Sequence, residues 1–149
     1  MSTEQYPKIY LYKRIVQAKL FIDNNYSQKI DLNNISDEAC FSKFHFLRLF
    51  KSVYDKTPHQ YLIKTRIENA KYFLRGGYAV SDTCFQVGFD SITSFTGLFK
   101  KCEGKTPSEY QKQNKIREEK IKTRPLQFIP NCFAEQKGWI KNSNFQEML

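Results

Sequence analysis

The sequence predicts an all-α protein of seven helices, organised as two similar halves around one long helix. Three observations lead there. Only 6 Gly and 5 Pro punctuate 149 residues, too few for the turns of a β-sandwich. The apolar residues recur at three- and four-residue intervals, the period of a helix face, and no run alternates as a strand does. Finally, FLRLFKSVYDKTPHQY at 46–61 returns as FTGLFKKCEGKTPSEY at 95–110, with Phe46/Phe95, Leu49/Leu98, Phe50/Phe99, Lys51/Lys100, Lys56/Lys105, Thr57/Thr106, Pro58/Pro107 and Tyr61/Tyr110 identical.

The first helix is expected from about Ile9 to Asn25, after an N-terminal arm at 1–8, with Ile9, Ile15, Val16, Ala18, Leu20 and Ile22 as its apolar face. Asp31 caps a short helix that turns Leu32, Ile35 and Ala39 inward. Ser42 caps the next, SKFHFLRLFKSVY, in which Phe46, Leu49, Phe50 and Val53 follow an i, i+3, i+4, i+7 spacing. Thr57–Pro58 is a cap followed by proline at the first helical position, and it opens a long helix closed by Gly76–Gly77. The second half repeats the plan. Val80 or Ser81 starts a short helix ending at Gly88; Asp90 or Ser91 caps SITSFTGLFKKCE, which Gly104 stops. Thr106–Pro107 then caps a last helix that extends through the charged NKIREEKIK.

Each half contains two helices joined by a turn of a few residues, a helix-turn-helix, at about 31–54 and about 80–103, bridged by the linker helix 57–75. The chemistry such a unit serves is geometric. Its first helix crosses a nucleic-acid backbone while the second lies in the major groove and reads base edges. With Phe46, Leu49, Phe50 and Val53 in the core, the opposite face of the first reading helix shows Lys43, Phe44, Leu47, Arg48 and Lys51. The matching face of the second shows Ile92, Thr93, Thr96, Gly97 and Lys100. At 1.5 Å per residue the linker helix is about 27 Å long, against about 34 Å between successive turns of one groove. Such a strut could hold two reading helices in neighbouring groove segments, so a monomer is expected where a symmetric dimer is usual.

The charge agrees. The formal net charge is +9, with the surplus in residues 1–30, 55–76 and 111–124, which favours a polyanion as partner. No run of about 18 apolar residues exists, and the N-terminus lacks the apolar region of a signal peptide, so the cytoplasm is the expected compartment and no membrane partner is expected. Cys40, Cys84, Cys102 and Cys132 form no C-x-x-C pair and stand apart from His45 and His59, so no metal is expected. We read the cysteines as structural filler, and His45 as packed beside the core stripe. Lys64, Lys71, Arg75 and the basic run from Lys115 to Arg124 read as solvated faces. No paired carboxylates, no nucleophile with an adjacent base and no glycine-rich phosphate loop are present, so neither an enzyme nor a cofactor is expected.

On SKFHFLRLFK with KTPHQYLIKTRIENAKYFL, and above all on VSDTCFQVGFDSITSFTGLFKKCEGKTPSEYQ, the chain resembles the DNA-binding domain of the AraC/XylS family of bacterial transcription regulators. The resemblance covers about residues 9–113. It implies two homeodomain-like, three-helical subdomains, both reading helices in the major groove, and activation or repression of transcription. Double-stranded DNA is the implied partner, with RNA polymerase as a further one. The family's base-reading positions fall on Phe44, Leu47 and Arg48 of the first helix, and on Ile92, Thr93 and Gly97 of the second. Arg48 suits a bidentate contact to guanine. Lys51, Lys100 and Lys101 suit phosphates, as do the caps Ser42 and Ser91 with their helix N-termini.

Three departures from the family pattern stand out. Gly97 takes a position commonly held by arginine, Ile92 is apolar where a polar residue is frequent, and no effector-binding segment precedes the match, so ligand sensing is not expected. Some DNA-repair methyltransferases fuse this domain to a zinc–cysteine acceptor, but the four cysteines are spread too widely for that site. The competing expectation is a non-catalytic helical adaptor with weak or non-specific DNA binding. Residues 114–149 lie outside the match as a charged helical extension and a tail holding Phe128, Ile129, Phe133, Trp139 and Phe145. That tail is expected to pack on the second subdomain or to contact a partner, a tail-mediated dimer being the alternative to a monomer.

Overall fold

A computed structural model describes residues 5–33 and 43–138. Among them the chain is helical, with no strand. The elements are α1 (Gln5–Asn25), α2 (Lys43–Tyr54), α3 (Pro58–Arg75), α4 (Val80–Gln86), α5 (Ile92–Glu103), α6 (Pro107–Thr123), a 3-10 turn (Pro125–Phe128) and α7 (Asn131–Gln136). Six of the seven expected helices are here. The short helix expected after Asp31 lies mostly outside the described residues, although the Asp31 carboxylate accepts from the Asn33 N–H at 2.9 Å, as a cap would. No helix among the described residues is long and apolar enough to cross a membrane. The chain divides into two compact units, Met1–Pro107 and Ser108–Leu149.

In the first unit α3 is the organiser. It packs against α1 and α2 through one half and against α4 and α5 through the other. Its start is fixed by a capping box: the Thr57 hydroxyl accepts from the Gln60 N–H at 3.2 Å, and the Gln60 side chain accepts from the Thr57 N–H at 3.0 Å. Ile15, Ala18, Ile22, Phe46, Phe50 and Leu62 form the first core. Phe50, Tyr54 and Tyr61 meet there with ring centroids 4.9–5.8 Å apart, close enough for favourable edge and tilted pairing. The second core contains Ile67, Ala70, Leu74, Cys84, Val87, Phe89, Phe95 and Phe99, all buried.

The sequence repeat is a structural repeat at its caps. Asp55 ends α2 in the left-handed conformation (φ 61°) with its N–H on the Lys51 carbonyl at 2.8 Å. Gly104 ends α5 in the same way (φ 77°) with its N–H on the Lys100 carbonyl at 2.8 Å. The proline three residues on, Pro58 or Pro107, is buried in each copy. Glycine fits this cap without strain, whereas Asp tolerates it through its short polar side chain.

Several expectations need correction. α1 starts at Gln5, four residues ahead of Ile9, and only Ile15, Ala18 and Ile22 of its expected face are buried; Ile9, Val16 and Leu20 are exposed. At 100° per residue these three form a separate stripe, turned away from the Ile15–Ile22 line. Val53 is likewise exposed, next to the last residue of α2. Cys84 is core, but Cys102 and Cys132 are surface thiols rather than filler; Cys102 borders the groove between α3 and α5, beyond the buried Phe99. Lys71 is not a solvated face. Its ammonium pairs with Glu68 at 3.5 Å and reaches across to Glu103 of α5 at 3.4 Å.

In the second unit α6 continues through NKIREEKIK as expected. The Arg117 guanidinium lies 6.0 Å from the ring centroid of Phe128, and Lys137 lies 5.8 Å from that of Phe133; both rings remain exposed. Trp139 and Phe145, with the rest of the tail, fall outside the described residues, as does Cys40.

Candidate nucleic-acid interface

Both reading helices are set by their own sequence. In α2 the buried edge is Phe46 and Phe50, one turn apart. That arrangement leaves Phe44, His45, Arg48, Lys51 and Ser52 exposed. Phe44 is 75% exposed, an unusual position for a phenyl ring. One of the expected face residues sits differently. Leu47 is half-buried and packs against the first core, since it lies beside the Phe46–Phe50 line. Lys43 is exposed but donates to the Asn33 side chain at 2.7 Å. His45, expected beside the core, is instead exposed and shares a shallow depression with Arg48, Leu49 and Ser52. Ser42 lies outside the described residues.

In α5 the buried edge is Phe95 and Phe99, whose ring centroids are 5.8 Å apart. Thr93, Gly97, Lys100 and Lys101 are exposed on the far side, with Ile92 exposed and Thr96 half-buried at the margin. Thr93, Gly97 and Lys100 follow an i, i+4, i+7 spacing and share one line. Ser91 is the cap: extended at φ −138°, it accepts the Ser94 N–H on its hydroxyl at 3.3 Å. This leaves the neighbouring N–H groups of the first turn pointing outward, the arrangement that attracts anions. Gly97 is open to solvent, and a Cβ added there would meet nothing within 4 Å.

The turn that aims α5 is compact. Gly88 adopts φ +96°, and the Phe89 N–H bonds the Cys84 carbonyl at 3.1 Å. Phe89 is buried against Phe95 with centroids 5.3 Å apart. Burial raises the Cys84 thiol pKa, with the Asp90 charge adding to the effect, so this thiol stays protonated and unreactive. Among the described residues no group of His, Cys, Asp and Glu is placed to hold a metal ion.

One residue that matters here was missed in the sequence. Arg66, in the middle of α3, is half-buried and donates to two backbone carbonyls of the segment after α1. Its partners lie 38–40 residues away, so no local pattern announces it.

A helix-turn-helix domain family model matches residues 35–113, over half the chain. The chain belongs to the AraC-type helix-turn-helix family. The bifunctional transcriptional activator/DNA repair enzyme AdaA of Bacillus subtilis (strain 168) is 31% identical over 99 residues, which are 66% of this chain and 47% of AdaA. The transposon Tn10 TetD protein of Escherichia coli is 34% identical over 103 residues, 68% of this chain and 74% of TetD. The chain thus spans about half the length of AdaA. Among solved structures, the DNA-binding domain of the global transcriptional factor AdpA, crystallised with a target DNA, matches with a TM-score of 0.63. It does so over 74% of this chain and 96% of that domain, at 23% identity, and so shares the fold.

Proposed function

We propose that the protein is a sequence-specific DNA-binding transcription regulator that inserts α2 and α5 into successive major-groove segments as a monomer. The observation that carries the reading is the pair of outward faces, Phe44–Arg48–Lys51 and Thr93–Gly97–Lys100, each opposite its own buried phenylalanines and each followed by the same cap. A single chain that presents two such faces has no need of a second copy to cover two groove segments. Family membership supports duplex DNA as the ligand, and the +9 charge supplies the phosphate attraction.

The roles divide by chemistry. Arg48 reads guanine through its planar fork, discriminating by about 1–3 kcal/mol. Phe44 offers only apolar contact, suited to a thymine methyl. Lys51, Lys100, Lys101 and the Ser91-capped N-terminus hold phosphates and fix register. Thr93 and Thr96 anchor the second helix, and Gly97 lets its backbone come close. RNA polymerase is the further partner such a regulator would engage, in the cytoplasm.

Selection of bound duplexes from a random pool tests this. Arg48→Ala should relax base preference within one half of the selected site, while Lys51→Ala should weaken all sequences alike. Equal weakening of every duplex by both changes would remove Arg48 as a reader. Absence of binding to any duplex at low salt would leave a protein-binding adaptor in its place.

A further inference from the structure

We propose that Arg66 is a positioning residue that locks the angle between the two helix-turn-helix units and so sets the spacing between the two groove segments the protein accepts. The inference rests on the DNA-reading function above and adds to it a residue that belongs to neither reading helix. Its Nε donates to the Tyr26 carbonyl at 2.7 Å and its Nη2 to the Gln28 carbonyl at 2.9 Å. Those carbonyls directly follow α1, whose Ile22 belongs to the first core, and the Tyr26 ring packs on that same core. The guanidinium also lies 5.5 Å from the ring centroid of Phe89, which is packed against Phe95 of α5. One side chain therefore touches the frame of the first helix-turn-helix and the aromatic that seats the second reading helix.

A second contact marks the same junction. The turn ahead of α5 comes so close to this backbone that a Cβ on Gly88 would lie 2.8 Å from the Tyr26 carbonyl oxygen and 2.9 Å from that of Ser27. Only glycine permits that approach at φ +96°. Burial lowers the Arg66 pKa, and Asp90 opposes the shift; a half-desolvated guanidinium gains more from each carbonyl than an exposed one. Without the guanidinium, α3 and the close backbone approach at Gly88 are left to hold the two helix-turn-helix units. With it, directional hydrogen bonds add to both in defining one angle.

Spacing is the property that such an angle controls. Inserting one base pair turns the second groove segment by about 35° around the duplex axis. A rigid pair of helices cannot follow that rotation, whereas a loosened pair can.

The test uses the selected duplex and versions with one base pair inserted or deleted between its halves, with binding followed by fluorescence anisotropy. Wild type should lose about tenfold or more on either change. Arg66→Met should bind the optimum more weakly yet lose only about threefold on the same changes, and Arg66→Lys, which keeps the charge without the fork, should fall between. An Arg66→Met profile as steep as the wild type's overturns the brace, whatever happens to overall affinity. If Arg66→Met fails to fold, Arg66→Lys and Gly88→Ala decide by the same ratio, and wild-type steepness in both overturns it. Failure of wild type to bind any duplex would instead overturn the underlying function, so the two failures are distinct.

Discussion

Gly97→Ala separates folding from function within one methyl group. Gly97 is mid-helix in α5, exposed, and has nothing within 4 Å of where a Cβ would go. Alanine therefore adds no clash, and it removes the backbone entropy that glycine loses on entering a helix. The gain is about 1 kcal/mol, enough to raise the urea midpoint by roughly 0.3–1 M at the usual slopes. On duplex DNA the same methyl group stands where α5 is proposed to approach the groove wall. Affinity should fall about fivefold, or near 1 kcal/mol, in the variant that is the more stable of the two. Urea unfolding by circular dichroism and anisotropy titration on the selected duplex read the two quantities. An unchanged or lowered midpoint would refute the packing argument. A raised midpoint with undiminished affinity would refute close approach and leave Gly97 an ordinary surface glycine. Gly97→Arg extends the series: it restores a long cation at the position matching Arg48 and should alter which bases the second half of the site prefers.

Other expectations follow from single contacts. Thr57→Ala removes one arm of the capping box on α3 and should cost about 1 kcal/mol in urea unfolding, with Thr57→Ser retaining most of it; equal losses in both would point away from the hydroxyl. Tyr61 donates to Asp23 at 2.7 Å, and Asp23 also pairs with Lys19 at 2.6 Å. Burial first, and then the Asp23 bond and charge, raise the Tyr61 pKa above 10.0. The folded chain thus holds this proton more tightly than the unfolded one. The contribution is complete below pH 10 and is lost as pH climbs through that value and past the raised one. Tyr61→Phe should cost about 1 kcal/mol near neutral pH, and the gap to wild type should narrow in alkali; a gap that stays constant or widens would refute the assignment. In thiol labelling read by mass spectrometry, Cys102 and Cys132 should react in the native protein and Cys84 only on unfolding.

What could be read from the sequence was what depends on neighbours along the chain. The Thr57–Pro58 start, the Gly76–Gly77 and Gly104 stops, the Ser91 cap and the Phe46/Phe50 and Phe95/Phe99 edges are all local signals, and all appear in the structure. α1 was harder because its apolar residues encircle it. Composition could not choose the Ile15–Ala18–Ile22 line over the Ile9–Val16–Leu20 one; contact with Phe46 and Leu62 made the choice. Opposition to the core puts Leu47 on the reading face, but at 100° per residue it stands only about 60–100° round the helix from Phe50 and Phe46, a margin where it packs inward. Arg66 and Lys71 were out of reach for the same reason as each other. Tyr26, Gln28, Phe89 and Glu103 become their neighbours only after the two helix-turn-helix halves fold onto α3. Gly88 reads in the sequence only as the end of a short helix, and its further reason is a backbone 61–62 residues earlier.

The central claim is that one chain reads two segments of one groove. Guanine N7 methylation interference on the selected duplex addresses it directly, since N7 lies in the major groove. Two clusters of interference are expected on one face of the duplex, about one helical turn apart, in a complex of one protein per site, with the cluster nearest Arg48 lost in Arg48→Ala. A single cluster, or two protein molecules bound for every two clusters, would contradict it.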